Sequence, residues 1–114
     1  MPSVHINGAD IYYEIHGEGP ALVLSHGVGS NHLHWWQQVP VLSKKFKVIT
    51  FDHRGFGFSS DDGKGPKAFV DDLTGLLDHL QVEKAAMVGQ SMGGVTVTGF
   101  ASRFPHRVTA MVLS

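Results

Sequence analysis

The run Gly89-Gln90-Ser91-Met92-Gly93-Gly94 follows an apolar segment, Lys84 to Val88, that reads as a strand. It precedes a segment of helical character, Gly93 to Arg103, which Pro105 cannot continue. A G-x-S-x-G run between a strand and a helix puts its serine on a sharp turn with strained backbone angles. Gly89 and Gly93 leave room for the strand and the helix to pack closely around that turn. The Ser91 hydroxyl is then expected to project above the sheet edge, near the positive end of the helix dipole. The backbone N–H of Met92 points into the same space and is a candidate oxyanion donor. A glycine-rich turn with an incidental serine is the plain alternative, and the strand before and helix after weigh against it.

Upstream of this turn, Val4-His5-Ile6, Asn7-Gly8 and Ile11 to Ile15 read as a strand, a tight turn and a second strand. Ala21 to Ser25 is a short apolar run suited to a parallel strand buried on both faces. It runs into Ser25-His26-Gly27-Val28-Gly29. Gly27 lets the backbone turn inward there, and the Val28 N–H is a candidate second oxyanion donor. A plain glycine turn competes with that reading on equal terms. Trp35 to Leu42 is expected to form a short helix whose end Pro40 weakens. Phe46 to Phe51 is another apolar strand. In the loop Asp52-His53-Arg54-Gly55-Phe56-Gly57, Asp52 and Arg54 are expected to hold the chain by ion pairs and backbone hydrogen bonds. The loop lacks the third glycine and the following helix of a dinucleotide site. Asp61 to Pro66 is polar and expected to be exposed.

Phe69, Val70, Leu73, Leu76, Leu77 and Leu80 form one face at helical period, with Asp71, Asp72 and Asp78 mostly off that stripe. Val108 to Leu113 is a last apolar strand. Strands and helices alternate after an initial hairpin, which implies an α/β fold: a mostly parallel sheet with helices on both faces. The 114 residues suit one domain, and 42% hydrophobic with 17% charged residues suits a folded chain. Nine Lys and Arg against ten Asp and Glu leave no positive excess for a nucleic acid partner. No basic amphipathic run suggests a membrane surface, and no stretch approaches a transmembrane helix. There is no cysteine, so disulfides and thiolate metal sites are excluded. Without a signal-peptide pattern, the expected location is cytoplasmic.

Taken together, His26-Gly27, Asp52-His53-Arg54-Gly55-Phe56-Gly57 and Gly89-Gln90-Ser91-Met92-Gly93-Gly94, in this order, resemble the α/β-hydrolase superfamily. Within it they are most similar to the esterase, lactonase and carbon–carbon-bond hydrolase branch. The resemblance covers the chain from the first hairpin to Leu113. It implies Ser91 as nucleophile, with an orienting role for His26. It implies a small-molecule ester-like substrate and no cofactor. Serine at position 91 sets the chain apart from haloalkane dehalogenases and epoxide hydrolases, which use aspartate there.

The family runs serine, acid, histidine along the chain. The acid and histidine positions lie beyond the strands read here. The expectation is therefore a single partial domain over residues 1–114, truncated after about the sixth strand, without the cap region and last strands. Of the eight histidines, His26 is the leading substitute base. His32 and His34 are candidates for the pocket mouth, and His53 lies at another strand end. His5, His16, His79 and His106 are expected at the surface. A zinc site from His26, His32 and His34 lacks the helical pairing and the carboxylate such sites use, and no metal is expected. Trp35, Trp36, Phe56 and Phe58 either line an apolar acyl pocket or pack ordinarily. The reading is a serine hydrolase whose acid and base lie outside this chain. The alternative is an inactive fragment or partner-binding module, self-associating through the edge strand Val108 to Leu113.

Overall fold

Asn7 at φ 49° and Gly8 at φ 90° take the left-handed conformation that reverses the chain in two residues. They join β1 (Ser3–Ile6) to β2 (Ala9–His16) as an antiparallel hairpin. In this computed structural model, which describes residues 2–114, four further strands complete one sheet: β3 (Ala21–Ser25), β4 (Lys47–Phe51), β5 (Ala85–Gly89) and β6 (Val108–Leu113). The order is β1-β2-β4-β3-β5-β6. β2 pairs antiparallel with β4, and the β4/β3, β3/β5 and β5/β6 pairs are parallel. This is the mostly parallel α/β sheet expected from the sequence.

Each parallel crossover leaves a helix on one face. The stripe on α2 (Phe69–His79) buries Leu73, Leu76 and Leu77 against Ile11, Val23, Ile49 and Met87. α3 (Met92–Arg103) adds Val97 and Phe100 to the same core. On the other face Leu22, Leu24 and Val48 pack under Trp35, with Val39 and Leu42 of the one-turn α1 (Val39–Leu42) beside them. β5 shows the two faces in its alternation: Ala85, Met87 and Gly89 are buried, and Ala86 and Val88 are half-buried.

Three details differ from the sequence reading. Trp35 to Leu42 is not one helix. A 3₁₀ turn spans His32–Trp35, begun by Asn31, whose side chain accepts the Leu33 N–H at 2.8 Å. Pro40 opens α1 instead of weakening its end, since the missing N–H costs nothing in a first turn. Asp72 is not off the buried face: it is 2% exposed, drawn inward by Arg54. No helix among the described residues is long and apolar enough to cross a membrane.

Candidate functional site

β5 ends at Gly89 and α3 begins at Met92, so the chain must turn through Gln90 and Ser91. Ser91 takes φ 54° and ψ −117°, a conformation that side chains with a Cβ rarely adopt. The turn is strapped from both sides. Gln90 N–H donates to Ser25 C=O at 3.1 Å, and Ser91 N–H donates to Ser114 C=O at 3.1 Å. Ser114 N–H returns to Gly89 C=O at 3.0 Å. These bonds tie the elbow to β3 and β6, the two neighbours of β5.

The two glycines have the steric role expected of them. A Cβ on Gly89 would lie 2.5 Å from Gly94 Cα, and one on Gly93 would collide with the Ser25 carbonyl. Gly27 packs on the same turn: its Cβ would stand 3.0 Å from Gln90 O. The loop after β3 therefore touches the elbow backbone to backbone. Ser91 itself is exposed. Its hydroxyl has no hydrogen-bond partner among the described residues. Met92 N–H, the first of α3, is one of the helix donors that intrahelical bonding leaves free.

Ser91 opens on two clefts. One, of about 580 Å³, is lined by Val28, Phe69, Val70, Met92, Val95 and Thr96 among others, with no charged side chain. The other, of about 510 Å³, lies between α3 and the end of β6, lined by Gly94, Val95, Thr98 and Leu113. The structure thus brings Ser91, Met92, Val28 and Gly27 together at the carboxyl end of the parallel strands.

The histidines fall into distinct roles. His26 is fully buried, and both ring nitrogens are engaged: Nδ1 with Gly27 C=O at 2.8 Å, and Nε2 with the backbone N–H of His53 at 2.9 Å. It has no free lone pair for the Ser91 proton, so the substitute-base reading fails. Burial holds its pKa below the ordinary histidine value; the Gly27 carbonyl and Asp52 oppose that shift, and His34 and His32 add to it. His53 is 1% exposed and bonds to Thr96 Oγ1 at 2.9 Å. Burial, and then the neighbouring His26, push its pKa down to about 3. His32 does not face the pocket mouth. It is buried, with Nδ1 2.8 Å from Asp52 Oδ1 and Nε2 3.5 Å from Glu14 Oε2. His34 is exposed.

No group of three or more His, Cys, Asp or Glu side chains among the described residues is arranged to hold a metal ion. Trp35 is a core residue at 7% exposure, while Phe56 lies edge-on to His26 at 5.6 Å between ring centroids. Neither lines the clefts beside Ser91.

The sequence reading missed the contact between His26 and His53. The signal was present: β3 and β4 pair in parallel with Leu24 opposite Thr50, which brings the residues just past each strand end together.

The family model described as the alpha/beta hydrolase fold matches residues 20–114. The chain is 41% identical over 103 residues to 2-hydroxy-6-oxo-2,4-heptadienoate hydrolase of Pseudomonas putida, covering 85% of this chain and 37% of that protein. It superposes on the enol-lactonase of Burkholderia xenovorans LB400 with a TM-score of 0.90 at 37% identity, covering 96% of this chain and 45% of the other. Est816, an N-acyl homoserine lactone degrading enzyme, gives a TM-score of 0.94 at 33% identity, with 98% and 44% covered. The chain therefore spans less than half the length of the relatives it matches.

Proposed function

Because this chain belongs to the alpha/beta hydrolase fold family, we propose that it supplies the nucleophile and oxyanion donors of a serine hydrolase for esters, lactones or related carbonyl compounds. The observation that carries the reading is the Ser91 backbone: an exposed serine held at φ 54° and ψ −117° between a strand and a helix. Backbone outliers of this kind cluster at active sites, ligand clamps and switch regions, where the strain is part of the mechanism.

In this reading Ser91 Oγ attacks the substrate carbonyl carbon. The N–H groups of Val28 and Met92 hold the oxyanion that develops, with Gly27, Gly89 and Gly93 allowing the close packing and His26 supporting the loop. The uncharged cleft lined by Phe69, Val70 and Val95 receives an apolar part of the substrate. A histidine held by an acid takes the serine proton and later activates water. No histidine of this chain is hydrogen-bonded to Ser91, and in this reading the acid and the base come from residues outside this sequence. No cofactor takes part.

A fluorophosphonate probe tests the nucleophile. Without its base the chain is expected to label only slowly, and Ser91→Ala to lose the label completely; equal labelling of both proteins sinks the assignment. The missing base has its own test. Removing a triad base costs orders of magnitude in rate, so p-nitrophenyl acetate should be turned over only slowly. Rapid full turnover would show that the base lies within these residues after all.

A second reading, self-association through β6, is favoured by its uncharged edge, where Met111, Val112 and Leu113 are 39–59% exposed. An open edge with no lysine or proline to blunt it pairs with a second copy. Size-exclusion chromatography should show a concentration-dependent dimer or larger species, and a monomer at high concentration refutes it.

A further inference from the structure

We infer that His26, His53 and Thr96 form a fixed-tautomer relay that aims the Val28 N–H, making His53 and Thr96 positioning residues for the oxyanion site. The inference rests on the oxyanion role proposed for Val28. It adds two residues that do not touch the reacting atoms.

Two backbone groups determine every proton in the relay. Gly27 C=O can only accept, so His26 Nδ1, 2.8 Å away, must carry a hydrogen. The His53 backbone N–H can only donate, so His26 Nε2, 2.9 Å away, must be a bare lone pair. His26 is therefore neutral and protonated on Nδ1. His53 Nδ1 lies 3.1 Å from that same bare nitrogen; a lone pair there would face a lone pair, so Nδ1 carries a hydrogen and shares the acceptor with the backbone N–H. With Nδ1 protonated and the ring neutral, His53 Nε2 is an acceptor. It receives the Thr96 hydroxyl at 2.9 Å, a contact shorter than that hydroxyl's other one to Met92 C=O at 3.4 Å, with Ser25 Oγ at 3.3 Å. Any other assignment sets two donors or two lone pairs against each other, or buries an imidazolium at 0–1% exposure.

The relay acts through peptide planarity. Gly27 C=O and Val28 N–H belong to one trans peptide and point in opposite directions. Holding the carbonyl on the His26 ring fixes the N–H away from it. Gly27 packs on the Gln90 backbone, and Val28 shares a cleft with Ser91 and Met92. At its other end the relay is anchored on Thr96, buried in α3 one turn beyond the elbow. The loop bearing Val28 and the helix bearing Met92 are thus held in register through two rings, each of whose orientations is determined. The groups around the rings are Phe51 and Asp52 at the end of β4, Phe69 of α2, Thr96 of α3, and His32 and His34 on the turn after β3. Asp52 is itself committed to His32. No carboxylate is hydrogen-bonded to either ring, which would otherwise draw a second proton onto it.

Long-range ¹H–¹⁵N spectra of the imidazoles in the 114-residue chain test the assignment directly. Free histidine prefers the proton on Nε2. Both His26 and His53 are expected to carry it on Nδ1, and an Nε2–H form of either ring overturns the relay. Thr96→Val removes the hydroxyl while keeping the side chain's shape. It should shift the Val28 amide resonance and slow fluorophosphonate labelling of Ser91 at least tenfold in its limiting rate. Thr96→Ser should restore both readouts. His53→Phe, which keeps the ring volume, should reproduce the Thr96→Val defect and gives a second route if that variant does not fold. Wild-type labelling rates together with an unmoved Val28 amide in either variant refute the inference. If the unaltered chain does not label at all, that reports the base missing from it and not the relay. The tautomers and the Val28 amide shift then decide the relay by themselves.

Discussion

Two glycine-containing turns leave the same carboxyl edge of the sheet, from β4 and β5 on either side of β3, and they are built on opposite plans. The loop after β4, Asp52 to Ser59, is held by buried charge. Asp52 accepts the His32 N–H at 2.6 Å and the Phe58 N–H at 2.9 Å, and Arg54 is clamped by Asp72 through two bonds of 2.7 Å. The turn after β5, Gln90 to Gly93, is held mainly by backbone bonds, with one long contact from the Thr96 hydroxyl to Met92 C=O at 3.4 Å, and leaves its one hydroxyl exposed. One loop uses its polar side chains to hold the fold, and the other leaves its serine hydroxyl at the surface, unpaired among the described residues. Both runs carry glycines, but charged side chains brace the loop at Asp52 to Arg54 and backbone bonds brace the turn at Gly89 to Gly93.

The largest expected effect comes from breaking the first plan. The Arg54 side chain is fully buried; its Nη1 donates to Asp62 at 2.6 Å, and its Nη2, already on Asp72, also donates to Ile6 C=O at 3.2 Å. The paired carboxylates hold its pKa above the usual arginine value. Arg54→Leu strands the buried Asp72 carboxylate and should lower unfolding free energy by about 3–5 kcal/mol, read from guanidinium midpoints. Arg54→Leu with Asp72→Leu removes both charges and should recover much of that loss. Failure to recover would mean that the pair anchors the loop by geometry and not by charge balance alone.

The second effect is an acid sensitivity. The folded pKa of His53 is about 3, below the ordinary value of 6.5, and that of His26 is also lowered. Between those limits the unfolded chain binds more protons than the folded one, so stability rises with pH. It is highest above about pH 6.5 and falls as pH drops toward 3. His53 alone should contribute a loss of about 2 kcal/mol between pH 6.5 and 5, where unfolded carboxylates have barely begun to titrate. His53→Phe should flatten that part of the profile; an unchanged slope would place the sensitivity elsewhere.

A third, smaller contrast lies within the elbow. Alanine normally stabilises a helix over glycine by about 1 kcal/mol. At Gly94 the added Cβ would meet Leu113 Cδ2 at an ordinary 3.5 Å, so Gly94→Ala should be neutral or stabilising by up to about that amount. At Gly93 the same Cβ meets the Ser25 and His26 carbonyls, backbone that cannot yield. Gly93→Ala should instead cost about 1–3 kcal/mol, the usual range for overpacking. Thermal unfolding of the two variants, one residue apart, should move in opposite directions.

These contrasts also explain what could be read in advance. The strands, the α2 stripe and the Gly89–Gly93 turn are local patterns, set by periodicity and by residues a few positions apart. The Ser91 strain follows from the glycines on either side. Long-range pairing of polar groups is different. Nothing in the composition of α2 marks Asp72 as buried and Asp71 as exposed, because the choice is made by Arg54, 18 residues earlier. In the same way, His26 looks free to act as a base until His53, 27 residues on, occupies its second nitrogen. Trp35 reads as either a pocket wall or a core residue until the break between the 3₁₀ turn and α1 turns it onto Leu22 and Val48.

The smallest expected change bears most directly on the second plan. A residue with a Cβ held at φ 54° and ψ −117° stores roughly 1–3 kcal/mol. Ser91→Gly relieves that strain, since glycine adopts positive φ freely. It also loosens the unfolded chain, which takes back about 0.5–1 kcal/mol. The net expectation is a gain of about 1 kcal/mol, seen as a rise in Tm of several degrees for a chain of this size. Ser91→Ala keeps the Cβ and should leave Tm nearly unchanged. Both variants lose the hydroxyl, so the difference between them isolates backbone strain from chemistry. A higher Tm for glycine alone would show that the elbow gives up stability to hold its serine exposed. Equal Tm values would mean that the straps from Ser25 and Ser114 bear the conformation without strain.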